Sequence, residues 1–217
     1  MISLNLKKRI ITSLILLSLC LLIIRFNFFL LYSLIIIGVF SIIEFSYLFK
    51  NIKIHKTYKF LINIFFILYL FTFLSLFFIL SNFIELKIIL FSFVFCCVAS
   101  DLGGYMFGKI FKGPKLTKIS PNKTISGAIG SILLSSFVMY FIFSSILSKH
   151  EYKILIIGIL TSVFCQLGDL LFSYLKRKAK MKDTGNFLPG HGGVLDRFDG
   201  MFLGIPIGFA IFSIIFI

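Results

Sequence analysis

Long apolar runs separated by short polar ones recur along the whole chain. A helix of about 20 mostly apolar residues crosses a bilayer. Seven stretches fit that template: residues 10–24, 28–49, 60–80, 88–108, 127–147, 154–175 and 200–217. The pattern predicts an all-α, polytopic integral membrane protein with about seven transmembrane helices. The first stretch is short, so Arg9 and Arg25 would have to reach towards the two surfaces. Its basic start resembles a signal peptide. It lacks a small-x-small cleavage site, however, and a second apolar run follows at once, so a retained helix is expected. One segment breaks the pattern: residues 173–199, SYLKRKAKMKDTGNFLPGHGGVLDRFD, form the most polar run of the chain.

Composition agrees with the pattern. Hydrophobic residues make up 59% and charged residues 14%, against about 25% charged in soluble domains. The four cysteines, Cys20, Cys96, Cys97 and Cys165, all lie in apolar runs and form no CxxC, so packing is their expected role. The net charge of +14 suits cationic loops against anionic headgroups better than a nucleic-acid partner, and no nucleic acid is expected. With the N-terminus in the cytoplasm and seven helices, only Arg25, Lys87, Lys149 and Lys153 fall outside. The other 18 of the 22 Lys and Arg face the cytoplasm. This asymmetry fixes the expected orientation and supports the helix count.

The acids are sparse. Glu44, Glu85 and Glu151 fall near expected helix ends or in short loops. Asp101 lies in the fourth apolar run and Asp169 in the sixth, both in the cytoplasmic half. Asp183, Asp196 and Asp199 lie in the last cytoplasmic loop or at its exit. An aspartate inside a membrane is costly and marks function more often than structure. Five aspartates at one depth, among many Lys and Arg, suit Mg²⁺ and phosphate binding. Asp169, Ser173 and Lys176 or Arg177 share one helix face by spacing. Asp196 and Asp199, three residues apart at a helix entry, could share a metal. Gly190, Gly192 and Gly193 flank His191, and backbone there could approach a phosphate closely. His191 could act as a base, donate to a phosphate, or fix the loop by hydrogen bonds. No HExxH, GxSxG or Walker motif supports zinc proteolysis, serine hydrolysis or P-loop chemistry.

The polar run resembles the signature of the phosphatidate cytidylyltransferase (CDP-diacylglycerol synthase) family. Ser173, Leu175, Lys176, Arg177, Lys182, Asp183, Gly185, Leu188, Pro189, His191, Gly192, Gly193, Val194, Asp196, Arg197, Phe198 and Asp199 occupy its fixed places. Two further stretches are similar to the family: QLGDLLFS, with Asp169, and SDLGGYMFGK followed by SPNKTISG. The last departs from it, with Asn122 where Lys is usual and Ser126 where Glu is usual. The resemblance runs from about residue 100 to the C-terminus, and the first hundred residues match only as apolar helices. It divides the chain into N-terminal helices, 1–87, and a catalytic membrane region, 88–217, with the cytoplasmic signature loop 173–199.

The resemblance implies conversion of CTP and phosphatidic acid to CDP-diacylglycerol and pyrophosphate. Mg²⁺, with or without a second cation, would assist. It implies a multi-pass protein of a bacterial-type inner (cell) membrane, with its active site facing the cytoplasm, and a homodimer. Carried onto this sequence, Asp169 and Asp196 are expected metal ligands. Asp199 and Asp183 are ligands or stand behind them, and His191 is in the catalytic set. Ser173, Lys176, Arg177, Lys182 and Arg197 are expected at the phosphates, Ser120, Lys123 and Thr124 on the nucleotide or pyrophosphate side, and Asp101 in the same polar cavity.

A transporter is the rival of another class, but the expected helix breaks in related halves are lacking. A CTP-using lipid kinase is the nearer rival, and the pattern of CDP-alcohol phosphotransferases is absent. Finally, Gly200, Gly204 and Gly208 form a small-residue stripe. It is expected to pack against the fourth or sixth helix, or against a second copy.

Overall fold

In a computed structural model of the chain, residues 18, 21–147, 151–185 and 192–216 are described. The expected all-α polytopic architecture is the one observed. Among the described residues, six helical spans are long and apolar enough to cross a membrane. They are formed by α1 (Asn27–Asn51), α2 (Lys56–Leu80), α3 (Ile84–Phe111), α4 (Ile125–Leu147), α5 (Lys153–Lys178), and the short α6 (Leu195–Phe198) followed by α7 (Met201–Phe216). Of the first expected helix, 10–24, only Ser18 and residues 21–24 are described; all of these are helical. The rest lies outside the described residues.

Several helices overrun their apolar runs because polar residues at the ends stay helical. In lipid a helix satisfies its own backbone groups, so unwinding is costly until water is reached. Thus α3 has 28 residues and starts with Glu85 and Lys87 inside it, giving a length of about 42 Å. The last turn of α5 carries Lys176, Arg177 and Lys178, cations that complement the helix dipole.

The chain divides into two compact units. One comprises Met1–Ile84 and Leu175–Arg197, the other Glu85–Tyr174 and Phe198–Ile217. In the first, α1 packs on α2. Phe45 and Phe66 stack with centroids 3.7 Å apart, and Gly38 leaves so little room that a Cβ there would lie 2.8 Å from Leu74 Cδ1. His55 caps α2 by accepting from the Thr57 amide at 3.4 Å.

In the second unit, small residues let helices approach closely, packing being the main attraction available in lipid. A Cβ on Gly103 would lie 2.5 Å from the Gly130 carbonyl oxygen, and one on Gly127 would lie 2.8 Å from that of Gly104, so α3 and α4 touch through backbone. Hydroxyls cross the same seams: Ser131 donates to the Ser100 carbonyl at 2.7 Å, and Ser100 and Ser162 share a hydrogen bond of 2.8 Å. Phe93, Phe143 and Phe212 form an edge-to-face cluster on α3, α4 and α7.

The stripe on α7 is filled within one chain. Gly200 faces Cys165 and Gly204 faces Cys165 and Cys97. Gly208 faces Thr161 and Phe93. Both α5 and α3, the sixth and fourth expected helices, receive it. A Cβ on Gly204 would already be 3.1 Å from Cys97 Sγ and from Cys165 Cβ. Gly204→Leu should therefore lower stability by about 1–3 kcal/mol or more through overpacking. Thermal unfolding in detergent would measure it, and an unchanged midpoint would mean that the stripe is not a packing seam.

Candidate active site

Each unit brings a lysine onto one of the expected site aspartates. In the Glu85–Tyr174 and Phe198–Ile217 unit, the connection between α3 and α4 turns back on itself. Lys112 and Gly113 take φ of 50° and 113° just past α3. Lys115 and Thr124 then form an antiparallel bridge, with the Leu116 amide donating to the Lys123 carbonyl at 2.8 Å. The tip is the turn Ser120-Pro121-Asn122-Lys123, closed by the Lys123 amide donating to the Ser120 carbonyl at 3.1 Å. Proline in the second place of such a turn is favoured because its φ is preset, and Asn122 occupies the third. Thr124 caps α4, its hydroxyl accepting from the Gly127 amide at 3.1 Å. Ser126 donates to the Lys112 carbonyl. Of the two departures, Ser126 has a local role in holding this loop, and Asn122 occupies its exposed turn.

This loop delivers Lys123 to α5, where its ammonium pairs with Asp169 Oδ2. Asp169 Oδ1 accepts from Ser173 Oγ at 3.2 Å, one turn along the helix, as spacing predicts. Asp199, 8% exposed, accepts the Gly200 amide on Oδ1 at 2.8 Å. Gly168, next to Asp169, lies against the Asp199 carbonyl oxygen, 2.7 Å from where a Cβ would stand. Asp101 is exposed on α3.

In the unit with α1 and α2, α5 ends in a left-handed cap. Lys180 has φ 58°. The Lys180 amide donates to the Arg177 carbonyl at 3.0 Å, and that of Met181 to the Lys176 carbonyl at 2.8 Å. This pattern of paired bonds closes a helix end and reverses the chain. The reversal leads into Lys182 and Asp183, both exposed, and then buried Thr184. Residues 186–191 lie outside the described residues, and with them Leu188, Pro189, Gly190 and His191.

The two ends of that stretch are clamped together. Asp196 Oδ2 accepts the Thr184 amide at 2.8 Å and the Gly193 amide at 3.2 Å. Its Oδ1 accepts from Lys176 Nζ at 2.8 Å, with side-chain exposures of 12% for Lys176 and 9% for Asp196. Charge-assisted bonds of this kind are roughly twice as strong as neutral ones. Arg177 donates to the Met181 carbonyl at 3.4 Å, and Arg197 is exposed.

A further residue meets this neck, one that sequence reasoning placed only near a helix end. Glu44, buried in α1, accepts from Thr184 Oγ1 at 2.8 Å, from the Val194 amide at 3.0 Å and from the Leu195 amide at 2.8 Å. An acidic residue within an apolar run was the available signal. Its partners, 140 to 151 residues away, carried none.

Asp183 and Asp196 thus lie in one unit and Asp101, Asp169 and Asp199 in the other. Among the described residues, no group of three or more His, Cys, Asp or Glu is placed to hold a metal ion. The donor chemistry does fit Mg²⁺. Carboxylate oxygens are hard ligands, and Asp169 and Asp196 each keep acceptor capacity beyond the bonds they make. In both, a lysine ammonium supplies the neutralising charge.

A phosphatidate cytidylyltransferase of Helicobacter pylori (strain ATCC 700392 / 26695) is 44% identical over 107 residues, 49% of this chain and 40% of that protein. One of Rickettsia felis is 42% identical over 126 residues, 54% of this chain and 56% of that protein. One of Staphylococcus haemolyticus is 41% identical over 124 residues, 56% and 47% respectively. The chain spans about half the length of the curated relatives it matches. The model of the cytidylyltransferase family matches residues 5–215, nearly the whole chain, and the chain belongs to that family.

Proposed function

We propose that the protein transfers CMP from CTP to phosphatidic acid, forming CDP-diacylglycerol and pyrophosphate. The observation that carries this reading is the signature segment. It fills the family's pattern at every fixed place, and it folds with Lys176 clamped to Asp196. Its relatives named phosphatidate cytidylyltransferase support the same substrates.

In the reaction, a phosphate oxygen of phosphatidate attacks the α-phosphorus of CTP in line. A new P–O bond forms, the bond from the α-phosphorus to the bridging oxygen breaks, and pyrophosphate leaves with the electron pair. A phosphate monoester is a competent nucleophile, so no strong base is needed. Both reactants are anionic, and positioning and charge supply most of the rate. The candidate Mg²⁺ ligands are Asp169, Asp196 and Asp199, and the ion, when bound, would neutralise phosphate charge. Asp183 would support that set. Lys176, Arg177, Lys182 and Arg197 bind phosphates, with Ser173 beside them. Lys123 and Ser120 serve the nucleotide side, where Thr124 holds the loop that presents them. The 88–217 region supplies these groups, and lipid stays in its leaflet while CTP arrives from the cytoplasm. A homodimer belongs to the reading as well. Because the Gly200, Gly204 and Gly208 stripe is filled within one chain, a second copy would dock on another face.

The deciding experiment is conversion of radiolabelled CTP by the purified protein in phosphatidate micelles, with and without EDTA. CDP-lipid and pyrophosphate are expected, lost on chelation; phospholipid and CDP would identify a lipid kinase instead. Asp196→Asn should reduce turnover by 100-fold or more while the protein stays folded, on the order of a lost transition-state charge contact. Wild-type kinetics in that variant at saturating Mg²⁺ would remove Asp196 from the site.

The charge asymmetry also predicts topology. A tag at Lys180 should be labelled from the cytoplasmic side and one at the C-terminus from the other. Labelling of both on the same side would break the seven-helix orientation.

A further inference from the structure

We propose that Glu44 is the positioning residue of the signature loop: a buried carboxylate on α1 that holds the neck of that loop in place for turnover. The kinetic part of this proposal rests on the cytidylyltransferase reading; the structural part does not.

Glu44 is 5% exposed. A carboxylate so buried is costly unless donors surround it. Here three do, a hydroxyl and two backbone amides, all from the neck: Thr184, Val194 and Leu195. The dependence is mutual. Thr184, Val194 and Leu195 are all buried, so without Glu44 the two amides would be buried donors lacking an acceptor. The contact is also tight. A Cβ on Gly185 would lie 2.5 Å from Glu44 Oε1, and one on Gly193 would collide with Glu44 Oε2 and Thr184 Oγ1. Gly193 does not adopt positive φ, unlike Gly192 at 82°. Room for Glu44 and its partner Thr184 is thus the reason for a glycine at 193.

Glu44 and Asp196 divide the work at the neck. Asp196 ties Thr184 to Gly193 and Lys176, closing the neck within the signature. Glu44 ties Thr184, Val194 and Leu195 to a helix far away in sequence. With both oxygens engaged by protein donors in a buried site, Glu44 acts through Asp196 and its neighbours rather than on substrate. Supporting groups of this kind decide whether reacting groups are held within the needed tolerance.

The test uses the full chain in phosphatidate micelles with Glu44→Ala, Glu44→Gln and Thr184→Val. Kinetics, limited trypsin cleavage and thermal unfolding are read together. Glu44→Ala should lower kcat by roughly 100-fold, the scale of a 1 Å misplacement, and change KM for CTP by less than about threefold. Cleavage at Lys180 and Lys182 should accelerate at least tenfold, on the order of losing one bond to a charged group, while cleavage between α1 and α2 keeps its rate. Glu44→Gln, which keeps one acceptor oxygen, should restore part of kcat. Thr184→Val removes a single bond at nearly constant volume and should shift kcat and local cleavage in the same direction by about tenfold or less.

The proposal is overturned if Glu44→Ala and Thr184→Val keep wild-type kcat and cleavage. It is equally overturned if cleavage rises throughout the chain in step with a lower unfolding midpoint, which would make Glu44 a general fold stabiliser. If the wild-type protein converts no CTP, the functional reading fails while the cleavage comparison still decides the role of Glu44.

Discussion

Carboxylates that are buried or half-buried in this protein are held by donors brought from elsewhere in the chain, and the candidate site residues depend on that constraint. Asp169 receives Lys123 from a loop, Asp196 receives Lys176 from the end of a helix, and Glu44 receives a hydroxyl and two amides. Each pairing links segments that neither helix propensity nor apolar burial would bring into register. Apolar burial is weakly directional, and between helices in lipid it supplies little drive at all. A carboxylate that must find its donors is far more selective. The apolar runs specify spans, and the few acids specify how the polar segments lie upon them.

The small residues answer to the same logic on two scales. Along α3, α4 and α7, glycines let backbones touch: Gly103 on Gly130, Gly204 on Cys165. Such contacts maximise dispersion where no hydrophobic gain is available. In the signature neck, Gly185 and Gly193 make room for a carboxylate instead. Glycine spacing alone does not separate these uses, and the difference lies in what faces the missing Cβ.

The helices were legible because each apolar run is about as long as a bilayer is thick. Their ends were not, because Glu85, Lys87 and Lys176 to Lys178 remain helical beyond the apolar runs. The chemistry at Asp169 and Ser173 was readable from a spacing of four along one helix, and the hydrogen bond between them follows it. Lys123 on Asp169 was not readable, since a contact across 46 positions depends on a loop fold. Thr124 shows the limit of motif reading from the other side: its hydroxyl is engaged as a helix cap, a local role that the motif alone does not separate from ligand binding. Glu44 was the largest omission. Its partners lie more than half the chain away, and periodicity reports on a residue's own helix only.

The two lysine pairs also bear on how an anionic reactant would be received. A carboxylate paired with an ammonium is close to neutral as a unit, so each pair holds without ligand. Under the proposed reaction a triphosphate would bring several negative charges and would compete for such ammonium groups. If the ammonium of either pair turned towards phosphate, its own carboxylate would be left with negative charge to balance, which is when a hard divalent cation would gain most from joining it. Under the proposed reaction, nucleotide and metal would each bind better when the other is present, by the reciprocity that governs any coupled pair of ligands. The neck held by Glu44 and the Asp196 backbone contacts would keep its place through that exchange, because its donors are fixed in backbone and in Thr184. Mobile charges on a fixed frame would let both reactants be neutralised without rebuilding the site at each turnover.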